Sequence, residues 1–457
     1  MMAHSTRLLL LSGASVLAGI ALIFNKEGSP LISSLGFALV GGTVTFHMIP
    51  ALGPSFIRVG LSGRDLNKVE QRVLPETMGA VAALVYLFCL FFFIPFMFYS
   101  YFVTATSGGG NRDEGLDLSS LVVSNGKGRT LAKFPHNKLA GYLSGLLCLQ
   151  SMFILGVADD LFDIRWRNKF FLPAIAAIPL LIVYFVDFGV THVMVPQFLH
   201  PWLGQTLDIG VGYYFYMAAV AIFCPNSINI YAGVNGLEVG QSLVIGISIL
   251  INDFLYISRP HHPAADSHLL SAFLLIPFLG VTSALLYHNW FPANVFVGDT
   301  YCYIAGMVFA VTGILGHFSK TILLFFIPQI FNFVYSAPQL FKIIECPRHR
   351  MPRLNHKTGL LEPSKVVFEK PPSAFLVKIF LILEKLRLLG VYRSETKPTE
   401  IVAVSNLTVM NLTLVNLGPL REDKLTATLM VGQFVFCVVA LGIRHSIATL
   451  IFGKDNI

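Results

Sequence analysis

Long apolar runs, each about as long as a bilayer-spanning helix, alternate with short polar connections along almost the whole chain. Windows of about 20 residues place spanning helices near 31–57, 78–103, 139–158, 170–188, 211–230, 238–257, 268–287, 296–315, 320–343 and 426–452. A shorter apolar run, Leu8 to Phe24, follows a start that carries His4 and Arg7. It fits a signal anchor, a cleaved signal peptide or an eleventh helix. Only 344–425 reads as a sizeable polar stretch. It mixes Pro347, Pro352, Pro363, Pro371 and Pro372 with charge and with short apolar pieces such as Phe375–Leu389. That pattern predicts some strand and one amphipathic helix lying near the membrane.

The expected fold is therefore an all-α polytopic membrane protein of about ten transmembrane helices, with a small mixed α/β cytosolic insert before the last helix. Four parts follow: an N-terminal apolar segment (1–30), a transmembrane core (31–343), the insert (344–425), and the last helix with a C-terminal tail (426–457). No internal repeat is visible.

Composition agrees with the pattern. The chain is 54% hydrophobic and 12% charged, with a mean hydropathy of +0.69, whereas soluble domains carry about 25% charged residues. The net charge of +7 fits membrane-flanking cations and phosphate-bearing ligands. No basic stripe interleaved with aromatics suggests nucleic acid. The six cysteines are scattered, mostly within apolar runs and without a CxxC pair, which reads as free buried thiols.

Loop charge sets the expected orientation. Arg58, Arg64, Lys68 and Arg72, then Arg165, Arg167 and Lys169, then the cation-rich 344–425 fall in one set of alternate connections, assigned to the cytosol. The opposite set includes 189–210, which has no Lys or Arg. An exception is 104–138, where Arg112, Lys127, Arg129, Lys133 and Lys138 follow a Ser-Gly-Gly-Gly start typical of a flexible loop. Two glycosylation patterns, at Asn406 and Asn411, fall on the cytosolic side of this assignment.

Four polar clusters all map to that same face. The first is Leu155-Gly-Val-Ala-Asp-Asp-Leu-Phe-Asp163, followed by Ile164-Arg-Trp-Arg-Asn-Lys169. A charge at the centre of a membrane helix costs about 2.5–3.5 kcal/mol on insertion scales, so such residues are rarely incidental. A helix continuing through this point would put Asp159 and Asp163 on one face, with Asp160 turned aside. Carboxylates beside Lys and Arg suit a hydrated Mg²⁺ and a phosphorylated substrate. The second cluster is Cys224-Pro-Asn-Ser-Ile-Asn-Ile-Tyr-Ala-Gly-Val-Asn-Gly-Leu-Glu238. Asn226 and Asn229 share a helical face, and Gly233 and Gly236 break the helix around Asn235, where backbone can approach a ligand. Polar contacts between membrane helices are the competing reading.

The third cluster, Phe296-Val-Gly-Asp-Thr300, opens an apolar helix. Asp299 fits a helix cap, or a metal ligand together with an amide oxygen from Asn229. The fourth, Cys346-Pro-Arg-His-Arg-Met-Pro-Arg353, reads as a stiffened cationic finger suited to phosphate or as a lipid-headgroup contact. No GxxxxGK[ST] motif argues for a P-loop. Together the clusters describe phosphoryl transfer, which depends on charge neutralisation and in-line positioning.

These four motifs, in this order, resemble the eukaryotic UDP-N-acetylglucosamine–dolichyl-phosphate N-acetylglucosaminephosphotransferases, close to the fungal members, within the polyprenyl-phosphate sugar-1-phosphate transferase superfamily. The likeness runs from about Leu31 to the C-terminus. It implies transfer of GlcNAc-1-phosphate from UDP-GlcNAc to dolichyl phosphate at the endoplasmic reticulum membrane. The products are GlcNAc-diphosphodolichol and UMP, the first step of N-glycan precursor assembly. It also implies Mg²⁺ held through Asn229 and Asp299, an essential acidic pair at Asp159 and Asp160, and Lys169 on phosphate.

The resemblance assigns Arg64, Asp65, Leu66, Glu76, Asn235 and Phe296 to UDP-GlcNAc, chiefly its uridine, with Trp166 near the acetamido group and Arg348, His349 and Arg350 on the pyrophosphate and sugar. It puts Lys169, Phe223 and Asn226 at the dolichyl phosphate, and implies a tunicamycin target in contact with membrane lipid. A homodimer, or a complex with later enzymes of the pathway, is the implied assembly. Asp163 stands where some relatives carry Asn, which speaks against a required charge there. Direct attack by the dolichyl phosphate oxygen needs no strong base, because a phosphate monoester has its second pKa at about 6. The alternative is a nucleotide-sugar transporter, which would show repeats and midplane charges instead.

Overall fold

In the computed structural model, residues 2–66, 68, 70–99, 135–259, 261–347, 350–369, 371–394, 397 and 400–453 are described. The cation-bearing connection at 100–134 lies outside them, as do Arg348 and His349. The membrane part comprises α1 (Met2–Ile23), α2 (Pro30–Arg58), α3 (Gly79–Met97), α4 (His136–Phe162), α5 (Arg167–Asp187), α6 (Val211–Ile230), α7 (Leu237–Ile257), α8 (Ala265–Asn289) and α9 (Gly298–Leu315). After these come α10 (Ser319–Phe325) and α11 (Ile327–Leu340), then two helices of the insert, α12 (Ala374–Lys385) and α13 (Val409–Leu417), and finally α14 (Glu422–Gly442). Among the described residues, ten helices are long and apolar enough to cross a membrane, and α10 with α11 adds an eleventh, bent pass. The chain is an all-α polytopic membrane protein with only small sheets.

Two apolar runs depart from the expected straight helices. The 170–188 run is segmented, with prolines opening the pieces Leu172–Ala176 and Ile178–Asp187. The 320–343 run bends by 68° between α10 and α11. Pro328 in the first turn of α11 has no N–H to continue the ladder. The Phe325 carbonyl, at the last residue before the bend, accepts from Gln433 Nε2 of α14 at 2.8 Å. Gln433 Oε1 in turn accepts from Gln329 Nε2 at 2.8 Å, which also donates to Gln241 Oε1 at 2.9 Å. Backbone freed in hydrocarbon has to find such partners, so the bend and the glutamine chain go together.

The N-terminal run is a helix docked along α2. Ser12 Oγ meets His47 Nε2 at 2.8 Å, Thr43 Oγ1 donates to Ser15 Oγ at 3.0 Å, and a Cβ at Gly36 would lie 2.5 Å from the Gly19 carbonyl. Small residues and hydrogen bonds replace the hydrophobic effect between helices in lipid.

The helix α9 occupies the centre, with 89% of its apolar window buried. Glycines let three neighbours reach its backbone. A Cβ at Gly306 would sit 2.3 Å from Pro225 of α6, one at Gly156 of α4 2.6 Å from Thr300 Cα, and one at Gly79 of α3 2.5 Å from the Val297 carbonyl. These approaches set Asn229, one turn beyond Pro225, and Asp159 and Asp160, one turn beyond Gly156, beside Asp299.

Around this end lies polar structure. Strands β1 (Ser62–Arg64) and β2 (Val73–Pro75) pair antiparallel with Gly63 opposite Leu74. The α8–α9 connection is stitched to them by Phe296 N–H to Pro75 O at 2.8 Å and Met78 N–H to Phe296 O at 3.0 Å. On the opposite face β3 (His192–Met194) pairs with β4 (Thr206–Asp208). The insert pairs β5 (Arg353–Asn355) with β6 (Leu360–Glu362). It also forms a three-stranded sheet in which β9 (Ile401–Ser405) lies between β7 (Lys365–Val367) and β8 (Val391–Arg393). Leu354, Leu361, Met410 and Leu414 pack with Tyr231, Val234, Leu237, Leu425 and Leu429, joining the insert to the α6–α7 turn. Asn406 and Asn411 are buried and hydrogen-bonded to Ser364, so neither glycosylation pattern presents an accessible amide. All six cysteines are free, five of them buried.

The close α6–α9 contact leaves no room for a side chain at Gly306. Gly306→Ala forces backbone apart and should cost about 1–3 kcal/mol, read as a lower Tm of the purified protein. Gly432→Ala, where a Cβ meets nothing within 4 Å, should leave Tm unchanged or slightly raised.

Candidate active site

A cavity of 390 Å³ opens where the hairpin, the α6–α7 turn and the α8–α9 connection converge. Gly63 to Leu66 and Glu76 form one wall; Asn229, Ala232 to Asn235 and Glu238 form another. Asn289, Phe296 to Asp299 and Cys302 close a third side, and Met351 and Glu422 arrive from the insert and the start of α14. Of the residues singled out in the sequence, Arg64, Asp65, Leu66, Glu76, Asn229, Asn235, Phe296 and Asp299 are thus brought together.

Behind Asp299 the wall is charged. The Lys169 ammonium donates to Asp299 Oδ2 at 2.7 Å and to Asp159 Oδ2 at 2.8 Å, bridging the two carboxylates. Tyr303, one turn past Asp299, donates its hydroxyl to the same Asp159 oxygen at 3.0 Å. Asp159 Oδ1 accepts the Ile164 N–H at 3.0 Å, so this carboxylate also shapes the turn that delivers Lys169. Asp160 does different work. Its Oδ1 accepts the Asp299 N–H at 2.7 Å, and its Oδ2 accepts the Thr300 hydroxyl at 2.6 Å and the Thr300 N–H at 3.3 Å. A carboxylate at the N-terminus of α9 satisfies orphan donors and complements the helix dipole. Asp160 therefore caps the helix that carries Asp299, from another helix.

The expected pairing of Asp159 with Asp163 is corrected. The helix ends at Phe162, and Asp163 takes a left-handed conformation (φ 46°) with an exposed side chain. Asp tolerates that region better than most residues, and the chain needs the reversal to turn Lys169 back towards Asp159. Asp160, not Asp163, joins the cluster.

The remaining residues fall as follows. Asn229 lines the cavity together with Asp299. Asn226 does not line the cavity: its amide donates to Ile222 O at 2.8 Å and Phe170 O at 3.4 Å, which ties α6 to the residue after Lys169. Phe223 packs on Phe326 at the α10–α11 bend, with ring centroids 5.9 Å apart. Trp166 belongs to the short helical turn Trp166–Lys169. Arg348 and His349 lie outside the described residues. Arg350 sits next to Met351, which packs on Gly233 so closely that a Cβ there would be 2.8 Å away. Burial holds the Arg350 guanidinium below its usual pKa, and its Nη1 is buried with no hydrogen-bond partner among the described residues. A buried guanidinium nitrogen without a partner among the described residues is a donor that an anion can satisfy.

Among the described residues the cavity wall carries five carboxylates (Asp65, Glu76, Glu238, Asp299 and Glu422) and the cation Arg64, with Lys68 paired to Asp65 and Glu422 and Lys169 to Asp299 from behind. Burial, and then the charges of Asp160 and Asp299, raise the Glu76 pKa above the usual carboxylate value. A bound cation would ease the entry of an anionic ligand past such a wall. No group of three or more His, Cys, Asp or Glu among the described residues is arranged to hold a metal alone. The hard oxygens of Asn229 and Asp299 nevertheless fit a Mg²⁺ completed by phosphate oxygens and water.

Several functional positions escaped the sequence. Tyr303 stood four residues after Asp299 and so on its helical face, a usable signal. Glu422 sits in the charged run Arg421-Glu-Asp-Lys424, which looks like any span-flanking segment. Asn289 braces two loops, accepting the Gly236 N–H at 3.0 Å and donating to Val295 O at 2.8 Å, with nothing local to mark it.

Comparison with known proteins agrees with this geometry. The glycosyl transferase family 4 model matches residues 142–317, which span α4 to α9 and include the Lys169 cluster. The chain is 56% identical to the UDP-N-acetylglucosamine–dolichyl-phosphate N-acetylglucosaminephosphotransferase of Saccharomyces cerevisiae, covering 95% of each chain. It is 53% identical to that of Schizosaccharomyces pombe, over 96% of this chain and 97% of the relative. The Dictyostelium discoideum protein of the same name is 38% identical over 92% of each. Near-complete coverage at these identities shows that the chain belongs to the UDP-N-acetylglucosamine–dolichyl-phosphate N-acetylglucosaminephosphotransferase family.

Proposed function

We propose that the protein transfers GlcNAc-1-phosphate from UDP-GlcNAc to dolichyl phosphate, giving GlcNAc-diphosphodolichol and UMP. The observation that carries this reading is the Lys169 ammonium shared by Asp159 and Asp299, the second of which lines the cavity. A cation so held is aimed rather than mobile, which suits a reaction limited by charge and alignment. In the proposed step a dolichyl phosphate oxygen attacks the β-phosphorus of UDP-GlcNAc. The new P–O bond forms as the bond to the bridging oxygen breaks, and that oxygen leaves with its electron pair on UMP.

The acceptor phosphate is largely ionised at neutral pH, so no strong base is required. Asp159 then acts through Lys169, with Tyr303 restricting its carboxylate. Asp160 holds the first turn of α9 and with it Asp299. A Mg²⁺ ion bound by Asn229 and Asp299 would supply charge neutralisation for a diphosphate in this carboxylate-rich cavity. Arg350, with its buried unpartnered Nη1, supports recognition of the same anion from the insert side, with Arg348 and His349 adjacent in sequence. The cavity lies at the face whose connections carry the excess of Lys and Arg, which supports a cytosol-facing site in the endoplasmic reticulum membrane. The transporter alternative lacks support: the charged residues gather at one end of the helices.

Four outcomes are expected. Purified protein given Mg²⁺, UDP-GlcNAc and dolichyl phosphate releases UMP, whereas uptake of intact UDP-GlcNAc without UMP would contradict the enzyme reading. Lys169→Met lowers kcat by about 10²–10³-fold, and Asp299→Asn raises the Mg²⁺ concentration for half-maximal rate at least about tenfold. A loss of Mg²⁺ affinity in Asp159→Asn but not in Asp299→Asn would overturn the division of roles. Asp160→Ala removes the cap of α9 and costs about 0.5–2 kcal/mol of stability, seen as a lower Tm together with a reduced rate.

A further inference from the structure

Asn235 has its polar groups fixed from three directions. Its backbone N–H donates to Glu422 Oε1 at 2.7 Å, its carbonyl accepts the Thr426 hydroxyl at 2.9 Å, and its amide Nδ2 donates to Asp65 Oδ2 at 3.1 Å. Lys68 pairs with Asp65 at 3.2 Å and also with Glu422. Asp65, Asn235 and Glu422 are all buried, and all three line the cavity. The four side chains come from the first polar connection, the α6–α7 turn and the start of the last span, far apart in sequence.

The chemistry of this chain is directional. An ionised carboxylate only accepts, so the side of the Asn235 amide that faces Asp65 must be its NH₂. Oδ1, the acceptor, makes no hydrogen bond among the described residues and is the amide group left for a ligand. Lys68 pairs with the Asp65 carboxylate and so fixes it in place, and Glu422 holds Lys68 while also fixing the Asn235 backbone. Phe296 supplies an aromatic face on the same cavity, held so near Gly63 that a Cβ there would be 3.2 Å from its ring. Base stacking on such a ring does not discriminate one pyrimidine from another. The edge must do so.

We propose that Asp65, Lys68 and Glu422 are positioning residues that lock the Asn235 amide with its oxygen towards the ligand, and thereby select a pyrimidine whose ring nitrogen carries hydrogen. Uracil offers an N3–H donor to that oxygen. Cytosine presents a bare N3, which would set two lone pairs against each other and leave a buried acceptor unsatisfied. A site built to bind a substrate N–H rejects an analogue lacking it far more strongly than a merely apolar pocket does. The inference rests on the uridine-nucleotide reading of this cavity and extends it to the groups that enforce the choice.

The test is binding of UMP and of CMP to the purified full-length protein with Mg²⁺, by calorimetry, which needs no turnover. The wild type should prefer UMP by at least about 100-fold. Asp65→Asn, whose amide can donate or accept, should cut that preference at least tenfold, with CMP binding gained as UMP binding falls. Lys68→Met should move the ratio in the same direction, and it decides the matter if Asp65→Asn does not fold. Equal weakening of both nucleotides, or an unchanged ratio in both variants, overturns the inference and leaves the uridine reading standing. A wild type that binds neither nucleotide refutes that reading and this inference with it.

Discussion

The Lys169 ammonium between Asp159 and Asp299 is the constraint on which the rest of the site depends. Two carboxylates at the end of membrane helices repel each other and resist leaving water, and a single shared cation answers both problems. The arrangement is possible only because α4 and α9 meet at Gly156, close enough for Asp160 to cap α9 while Asp159 reaches the lysine. The left-handed residue at Asp163 then turns the chain so that Lys169 returns to its own helix end. Packing of the core and chemistry of the site are therefore one problem, solved at a few glycines.

The same logic reaches the other walls. Gly306 lets α6 press on α9 and puts Asn229 against Asp299, and Gly79 brings the hairpin strands and Glu76 alongside. The insert is not an appendage to this structure. Met351 packs on Gly233, a hydrophobic cluster joins Leu354, Met410 and Leu414 to the α6–α7 turn, and Glu422 ties the last span to Asn235. A loop that must approach a ligand is held from several elements, so its geometry belongs to the whole membrane end.

Much of this was legible in the sequence, for physical reasons. Apolar runs of spanning length mark helices because lipid admits little else, and the positions of α6, α7, α8 and α9 follow the runs closely. Charges at span ends marked Asp159, Asp160, Lys169 and Asp299. What escaped depended on contacts between distant segments. Helical spacing favoured Asp163 as the partner of Asp159, because nothing local announced a left-handed turn. The bend between α10 and α11 depends on Gln433, more than a hundred residues further on. Glu422 and Lys68 looked like ordinary flanking charges until the fold brought them to Asp65 and Asn235.

The central claim is a direct displacement organised by Lys169, without a covalent enzyme intermediate. It is tested most directly by incubating the purified protein with Mg²⁺ and UDP-GlcNAc labelled in the β-phosphate, with and without dolichyl phosphate. Direct displacement gives UMP only when the acceptor is present, and no label on the protein. A burst of UMP without acceptor, equal in amount to the protein and with label retained on one of its aspartates, would contradict it.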